Sequence, residues 1–429
     1  MHSSPPPMLA IHPAPDYVIV GAGIVGLATA YALRQAQPQA RITLLEKESR
    51  LAAHGSGRNS GVVHSGLYYP PGSLKAQLCV AGSRALKQYC QEYQLPIQTV
   101  GKVIVPGKVE EDPQIDALYE RGKANGVVLE RIDEQSLRQL EPCVNSASGR
   151  ALYVPHSAVI DPKAVVEHLA KQLQTQGVEI KLNSQVIDLQ PEAGTLTLKT
   201  GERLHYGMLI NAAGLFADKI YAPCVPLPQQ SRYTLLPFKG LYAELTPDCP
   251  LRFNGHVYPV PDLRFPFLGI HLTKTIKGHV TLGPTALPAF GREHYGWLAG
   301  LDIRETPQML YHVARQYWNN QHGFRAYTHA EASRFLMPAL CQAAQTLAPG
   351  LRLKHLRRAA KVGIRPQLLN LQTQELVMDF VVEPGTRSVH ILNAVSPALT
   401  GAFSFGEYVV KTYLGQSAQT TAAAMASSP

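Results

Sequence analysis

The stretch from Asp16 to Glu46 reads DYVIVGAGIVGLATAYALRQAQPQARITLLE. Tyr17 to Val20 is a short, β-branched apolar run without alternation, the pattern of a strand buried on both faces of a parallel sheet. Gly21-Ala22-Gly23-Ile24-Val25-Gly26 follows, a G-x-G-x-x-G with strand before it and helix after it. Gly21 permits the tight turn, Gly23 lets backbone approach a pyrophosphate, and Gly26 lets the helix pack closely on the sheet. From Ile24 onward the free N–H groups and the dipole of the helix favour the negative charge of phosphates. Pro38 lies beyond the helix, and Ile42 to Leu45 is a second parallel strand ending at Glu46. That acid falls 20 residues after Gly26, close to the offset of about 20 at which a carboxylate meets a ribose hydroxyl. It would repel a 2′-phosphate, so FAD or NAD is expected rather than NADP.

With 429 residues, 45% of them apolar and 17% charged, the chain can bury a large core and has the composition of a soluble globular protein. No apolar run reaches the length of about 18 that a membrane span needs. Residues 1–15 are Pro-rich, with neither a basic start nor an apolar stretch of signal-peptide length. They read as a disordered arm, and the protein is expected to stay in the cytoplasm. Cys79, Cys90, Cys143, Cys224, Cys249 and Cys341 show no C-x-x-C spacing, so free thiols are expected and no metal site is predicted. The net charge of +9 suits an anionic cofactor, an anionic substrate or the inner face of a membrane as a peripheral contact. No nucleic-acid-binding motif accompanies it.

Residues 51–78, LAAHGSGRNSGVVHSGLYYPPGSLKAQL, combine five glycines with the donors Ser56, Arg58, Asn59 and Ser60 around His64. Such a loop, following a ribose-binding acid, suits a cofactor larger than a mononucleotide. Further on, Tyr206 to Ile210 reads as a buried strand that ends in Asn211-Ala212-Ala213-Gly214. Small residues at the C-terminal end of a sheet strand leave room for a ligand, and this second turn favours FAD over NAD. Lys47 and Val186 complete the candidate contacts of this half.

The stretch HGSGRNSGVVHSGLYYPPGSLKAQLCVAG resembles the corresponding loop of the L-2-hydroxyglutarate dehydrogenase (oxidase) family, within the FAD-dependent D-amino-acid-oxidase-like superfamily. The likeness returns at YPVPDLRFPFLGIHLT (Tyr258 to Thr273), at Gly283-Pro284 and at Gly363 to Gln367, and extends from Asp16 to about Val410. It implies an α/β protein in which a Rossmann-like FAD-binding domain (16–95, 151–225, 351–414) is interleaved with an α+β substrate domain carrying an antiparallel sheet (96–150, 226–350). A disordered tail (415–429) would follow. Strand character over 232–285 fits that sheet, and 292–347 reads as mostly helical, with Trp297, Tyr311, Tyr317, Trp318 and Phe335 as core aromatics. The basic run Arg352, Lys354, Arg357, Arg358 reads as a solvated face.

The resemblance implies hydride transfer from C2 of an L-2-hydroxy acid to flavin N5, with L-2-hydroxyglutarate the substrate; the electron acceptor, quinone or oxygen, is left open by the sequence. His271 or His64 would be the base, since imidazole titrates near neutrality. Arg365, in Gly363-Ile364-Arg365-Pro366, with Lys239 and Tyr258, would hold carboxylates; a guanidinium does so through two parallel hydrogen bonds. Gly363 and the Pro397, Ala398, Thr400, Gly401 stretch, leading into a helix expected at 403–413, would contact the flavin. The chain departs from the family where His54-Gly55-Ser56-Gly57-Arg58 replaces His-Gln-Thr-Gly-His, where Lys239 replaces an Arg, and at His294 in Arg292-Glu293-His294. Two other readings stay open: an amino-acid or amine oxidase of the same superfamily, and a non-catalytic flavin-binding redox sensor.

Overall fold

A computed structural model of the chain describes residues 14–230, 232–264 and 268–415. The expected disordered arm and tail therefore lie almost wholly outside the described residues. Tyr17–Val20 is a strand with all four side chains buried, and the helix Ile24–Ala36 follows it. The strand sits centrally in a six-stranded sheet ordered Val382–Gly385, Ser388–Ile391, Met208–Asn211, Tyr17–Val20, Ile42–Leu45, Glu179–Lys181. Every pairing is parallel except that of the hairpin 382–391. The helices Ile24–Ala36, Pro162–Thr175 and Ala398–Val409 contribute to one apolar core with this sheet, and burial of such apolar surface is the main stabilising term.

A ten-stranded, mostly antiparallel sheet forms the second half, ordered Glu375–Leu376, Leu356–Asn370, Tyr233–Leu245, Val280–Gly283, His271–Lys274, His256–Pro259, Lys102–Val105, Arg150–Val154, Glu130–Asp133, with Leu287–Pro288 beside Tyr233–Leu245. The segment 351–414 thus does not belong wholly to the cofactor half. Its strand Leu356–Asn370 is drawn into this sheet by a long antiparallel pairing with Tyr233–Leu245. Side chains alternate between the faces of a strand. On one face Val103, Val257, Leu272, Leu282 and Ala243 pack with Leu340 and Ala344 of the helix Met337–Gln345. Strand register leaves Lys102, His256, Tyr258, His271 and Tyr242 on the other face, which looks toward the cofactor half.

Two expectations change. The 292–347 segment is helical over Thr306–Asn319, Phe324–Ser333 and Met337–Gln345, but Trp297, Tyr311 and Trp318 are exposed, at 78%, 58% and 75%, rather than core. They stand on a loop and on the outward side of the first of these helices; Trp297 meets the Phe335 ring at 6.3 Å between centroids. The C-terminal helix begins at Ala398, five residues before the expected start. The basic run 352–358 is solvated as read, all six cysteines are free, and among the described residues no helix is long and apolar enough to cross a membrane.

The helices Ile24–Ala36 and Ala398–Val409 meet backbone to backbone at Gly406, where an added Cβ would lie 2.5 Å from the carbonyl oxygen of Ala28. Because no flexible side chain can give way there, Gly406→Ala is expected to cost about 1–3 kcal/mol. Denaturant unfolding of the variant beside the parent protein measures it.

Candidate active site

The Gly-rich turn is held by its neighbours. Gly21 has φ +103°, and a Cβ there would meet the carbonyl oxygen of Ala212 at 2.5 Å. A Cβ on Gly26 would lie 2.0 Å from the carbonyl oxygen of Gly21, so Gly26 serves helix-to-strand packing and does not line the cavity. Glu46 closes the strand Ile42–Leu45; its carboxylate accepts hydrogen bonds from the amides of Ala22 and Glu48, each at 3.1 Å. Ser56 Oγ accepts from the Ile24 amide at 2.9 Å, which ties the 54–60 loop to the helix start. Asn59 braces that loop through the carbonyls of Gly55 and Ser56 and the amide of Gly61.

A cavity of about 380 Å³ joins these groups to the antiparallel sheet. Gly21, Gly23, Ile24, Glu46, Lys47, Ser56, Arg58, Asn59, Ser60, Val186, Ala213, Gly214, Gly363, Pro397 and Ala398 all line it. Thr400 and Gly401 do not. They lie inside the early-starting helix: Thr400 Oγ1 accepts from the His64 amide at 3.0 Å, and Gly401 lets the helix Leu74–Glu92 approach, since a Cβ on Gly82 would fall 2.6 Å from its Cα. Two helices of 13 and 12 residues start at the cavity, at Ile24 and Ala398. Two positive helix ends, glycines that keep side chains off the path and an acceptor carboxylate at the end of the second strand form a set that fits FAD.

Lys47 makes close ion pairs with Glu48 and Glu293. The ligand atoms of Glu48, His54 and Glu293 lie within 4.8 Å of one another, and the Lys47 ammonium is already the cation among them. Tyr295 donates to or accepts from His54 at 2.9 Å, and the Arg58 guanidinium stacks over its ring at 4.1 Å. The two departures from the family loop therefore meet: Arg58 lies on Tyr295, while His294 accepts from the Phe290 amide and reaches the Trp297 carbonyl, pinning the same segment. Buried Arg292 pairs with Asp218 at 2.6 Å, anchoring this segment beside Gly214.

At the other end of the cavity stand His64, Tyr242, Tyr258, His271 and Arg365. His271 Nδ1 lies 2.9 Å from the Gly269 carbonyl oxygen. A carbonyl can only accept, so Nδ1 carries the proton and Nε2 keeps its lone pair. The ring lies flat on Tyr258, centroids 4.0 Å apart. Burial pushes His271 down to about 3, opposed by the Gly269 carbonyl and reinforced by Arg365, His256 and Lys102. Burial, then Lys102, His271, His256 and Arg365, brings His64 to about 3 as well. Both imidazoles are thus neutral at physiological pH.

Lys239 is the misplaced member of the predicted set. Its partner across the sheet is Ile364, whereas Arg365 pairs with Phe238, so one residue of register puts Lys239 on the opposite face. There its ammonium donates to the Gly296 carbonyl at 2.8 Å. Tyr242 and, just behind the lining, Lys102 are the residues that sequence reasoning missed. Period-two alternation from Tyr258 and Gly240 was the available signal, but the strand order that applies it is not written in any one segment.

A profile described as FAD dependent oxidoreductase matches residues 16–412. The L-2-hydroxyglutarate dehydrogenase of Indibacter alkaliphilus is 35% identical over 399 residues, covering 91% of this chain and 96% of that one. The mitochondrial L-2-hydroxyglutarate dehydrogenase of Homo sapiens is 36% identical over 417 residues, covering 91% and 86%. This chain belongs to the L-2-hydroxyglutarate dehydrogenase family. Its fold is shared with an FAD-bound L-alpha-glycerophosphate oxidase from Mycoplasma pneumoniae, at a TM-score of 0.72 and 24% identity over 93% of this chain and 94% of that one. Like the family profile, the cavity is that of an FAD enzyme, and within the L-2-hydroxyglutarate dehydrogenase family Lys239 for Arg costs no cavity contact here, because the side chain is turned away.

Glu46 holds the turn and lines the cavity, so Glu46→Ala removes both a charged hydrogen-bond acceptor and its brace on Ala22. FAD affinity should fall about tenfold or more, as expected for a lost hydrogen bond to a charged group. Fluorescence titration of apoprotein with FAD reads this directly.

Proposed function

We propose that the protein oxidises an L-2-hydroxy acid, L-2-hydroxyglutarate to 2-oxoglutarate. The observation that carries the reading is a neutral imidazole, whose tautomer is set by the Gly269 carbonyl, lining the same cavity as Arg365. FAD, when bound, supplies the hydride acceptor. The side chains supply orientation and proton transfer. The Arg365 guanidinium binds the C1 carboxylate and sets C2 in one orientation, which is the basis for selecting the L-isomer. His271 Nε2 takes the hydroxyl proton as the hydride leaves. Tyr258 supports the imidazole ring with its face, and Thr400 fixes the backbone of His64 beside it. The names of the curated relatives support the choice of the five-carbon diacid.

The acceptor is read as a quinone at an anionic membrane surface, met from the cytoplasmic side. What supports this is the exposure of Trp297 and Ile303 at 78%, Leu298 at 73% and Trp318 at 75%, interspersed with Arg304 and Arg315. Indole and aliphatic groups flanked by cations suit the headgroup layer.

Anaerobic stopped-flow mixing should bleach the flavin with L-2-hydroxyglutarate and leave it oxidised with the D-isomer or with amino acids; bleaching by amino acids alone would assign an amine oxidase. His271→Gln should slow reduction by about 10²–10⁴, the usual range for a lost general base. A base is lost as pH falls through its pKa, and that of His271 is held at about 3. The acid limb of kcat/KM is therefore expected well below pH 6; a limb at the ordinary histidine value would remove His271 from the role. For the acceptor, sedimentation with vesicles containing phosphatidylglycerol should fall in a Trp297→Ser, Trp318→Ser double variant, with flavin reduction preserved.

A further inference from the structure

The strand Lys102–Val105 begins with a lysine that is 1% exposed. Among the described residues its Nζ has no hydrogen-bond partner, and it lies 4.8 Å from the ring centre of Tyr68 and 5.1 Å from that of Tyr258. Lys102 pairs with His256, and Tyr258 lies two residues further along that neighbouring strand, so it shares the face that carries His271. A buried cation without an opposite charge is strongly unfavourable in a folded chain. Among the described residues the titratable groups that face it are Tyr68 and His64 from the 64–69 loop, Cys79 from the helix Leu74–Glu92, His256 and Tyr258 from the adjacent strand, and His271 from the next. None is an anion at neutral pH: burial drives Cys79 up to about 12 and both tyrosines well up, and holds the three imidazoles neutral.

A dicarboxylate 2-hydroxy acid brings two negative charges into the cavity. Of the cations that line it, Lys47 is paired with Glu48 and Glu293, Lys219 with Glu305 at 2.8 Å, and Arg58 lies on Tyr295. Arg365 stands on the His271 face, and Lys239 is turned away. One carboxylate is matched by the guanidinium; the other needs a second positive charge near Tyr258.

We propose that Lys102 is that second charge: its ammonium, set behind the ring faces of Tyr68 and Tyr258, balances the distal carboxylate and so makes the site prefer dianionic over monoanionic 2-hydroxy acids. The assignment rests on the 2-hydroxy-acid reading above. The aromatic rings carry the interaction, since a cation on one ring face polarises it and little water intervenes to screen the field. Burial lowers Lys102 to about 8, so it is charged at neutral pH and loses that charge as pH rises through the mildly alkaline range.

The test uses the FAD-loaded parent protein, Lys102→Met and Lys102→Arg, with L-2-hydroxyglutarate as dianion and L-2-hydroxybutyrate as monoanion, from pH 6.5 to 9.5. Lys102→Met should lower kcat/KM for the dianion at least tenfold more than for the monoanion, mainly through KM. In the parent protein the dianion-to-monoanion ratio should fall as pH rises through about 8, and Lys102→Arg should keep it level. An equal loss on both substrates, or a ratio in the parent protein that is flat across this range, would overturn the proposal. FAD content and melting temperature report whether Lys102→Met folds; if it does not, the ratio in the parent protein and the Arg variant decide. Flavin in the parent protein that neither substrate reduces would instead overturn the 2-hydroxy-acid reading itself, and Lys102's role with it.

Discussion

A strand shows its side chains to the two sides of its sheet in turn, and the chemistry of this protein depends on that alternation. In the ten-stranded sheet one face is aliphatic and closes on the helix Met337–Gln345. The other collects Lys102, His256, Tyr258 and His271 from three neighbouring strands. The same rule explains why Arg365 enters the cavity while Lys239, paired one residue out of step, reaches a backbone carbonyl on the far side. A one-residue slip would exchange the two sets, and the buried aliphatic face opposes it.

The cofactor half answers a different demand, the close approach of backbone to a pyrophosphate. Its glycines keep Cβ atoms from backbone oxygens at Gly21, Gly26 and Gly406, so the first helix, its strand and the C-terminal helix form one tightly joined block. Hydrogen bonds then bind the 54–64 loop to that block, Ser56 to the Ile24 amide and Thr400 to the His64 amide, while Glu46 holds the Ala22 amide of the turn. Both helix N-termini aimed at the cavity are thereby held in place, and an electrostatic field of fixed dipoles results.

Between the halves lies a set of ionisable groups kept neutral by burial and by neighbouring cations. His64 and His271 share Arg365 and Lys102 as like-charge neighbours once protonated, which makes the neutral base the resting form. On the reading proposed above, an anionic substrate brings opposite charge to these imidazoles when the proton is taken up. The ion pairs of Lys47 with Glu48 and Glu293, and of Arg292 with Asp218, close the same cavity at its outer end by tying the 290–297 segment to the cofactor half.

Local sequence carried the parts that depend on short-range physics. The strand, Gly-rich turn, helix and acid of residues 16–46 read correctly because a βαβ unit is contiguous, and fifteen of the proposed cofactor contacts line the cavity because loops at strand ends must. His64, Tyr258, His271 and Arg365 were legible through motif resemblance. What the chain order did not reveal was set by partners far away in sequence. The helix start at Ala398 withdrew Thr400 and Gly401 from the cavity; a pairing across more than a hundred residues turned Lys239 outward; and Trp297 and Trp318, apolar enough for a core, were left uncovered. Lys102 reads as an ordinary strand lysine until tertiary packing removes it from water, because burial is a property of what surrounds a side chain and not of the side chain itself.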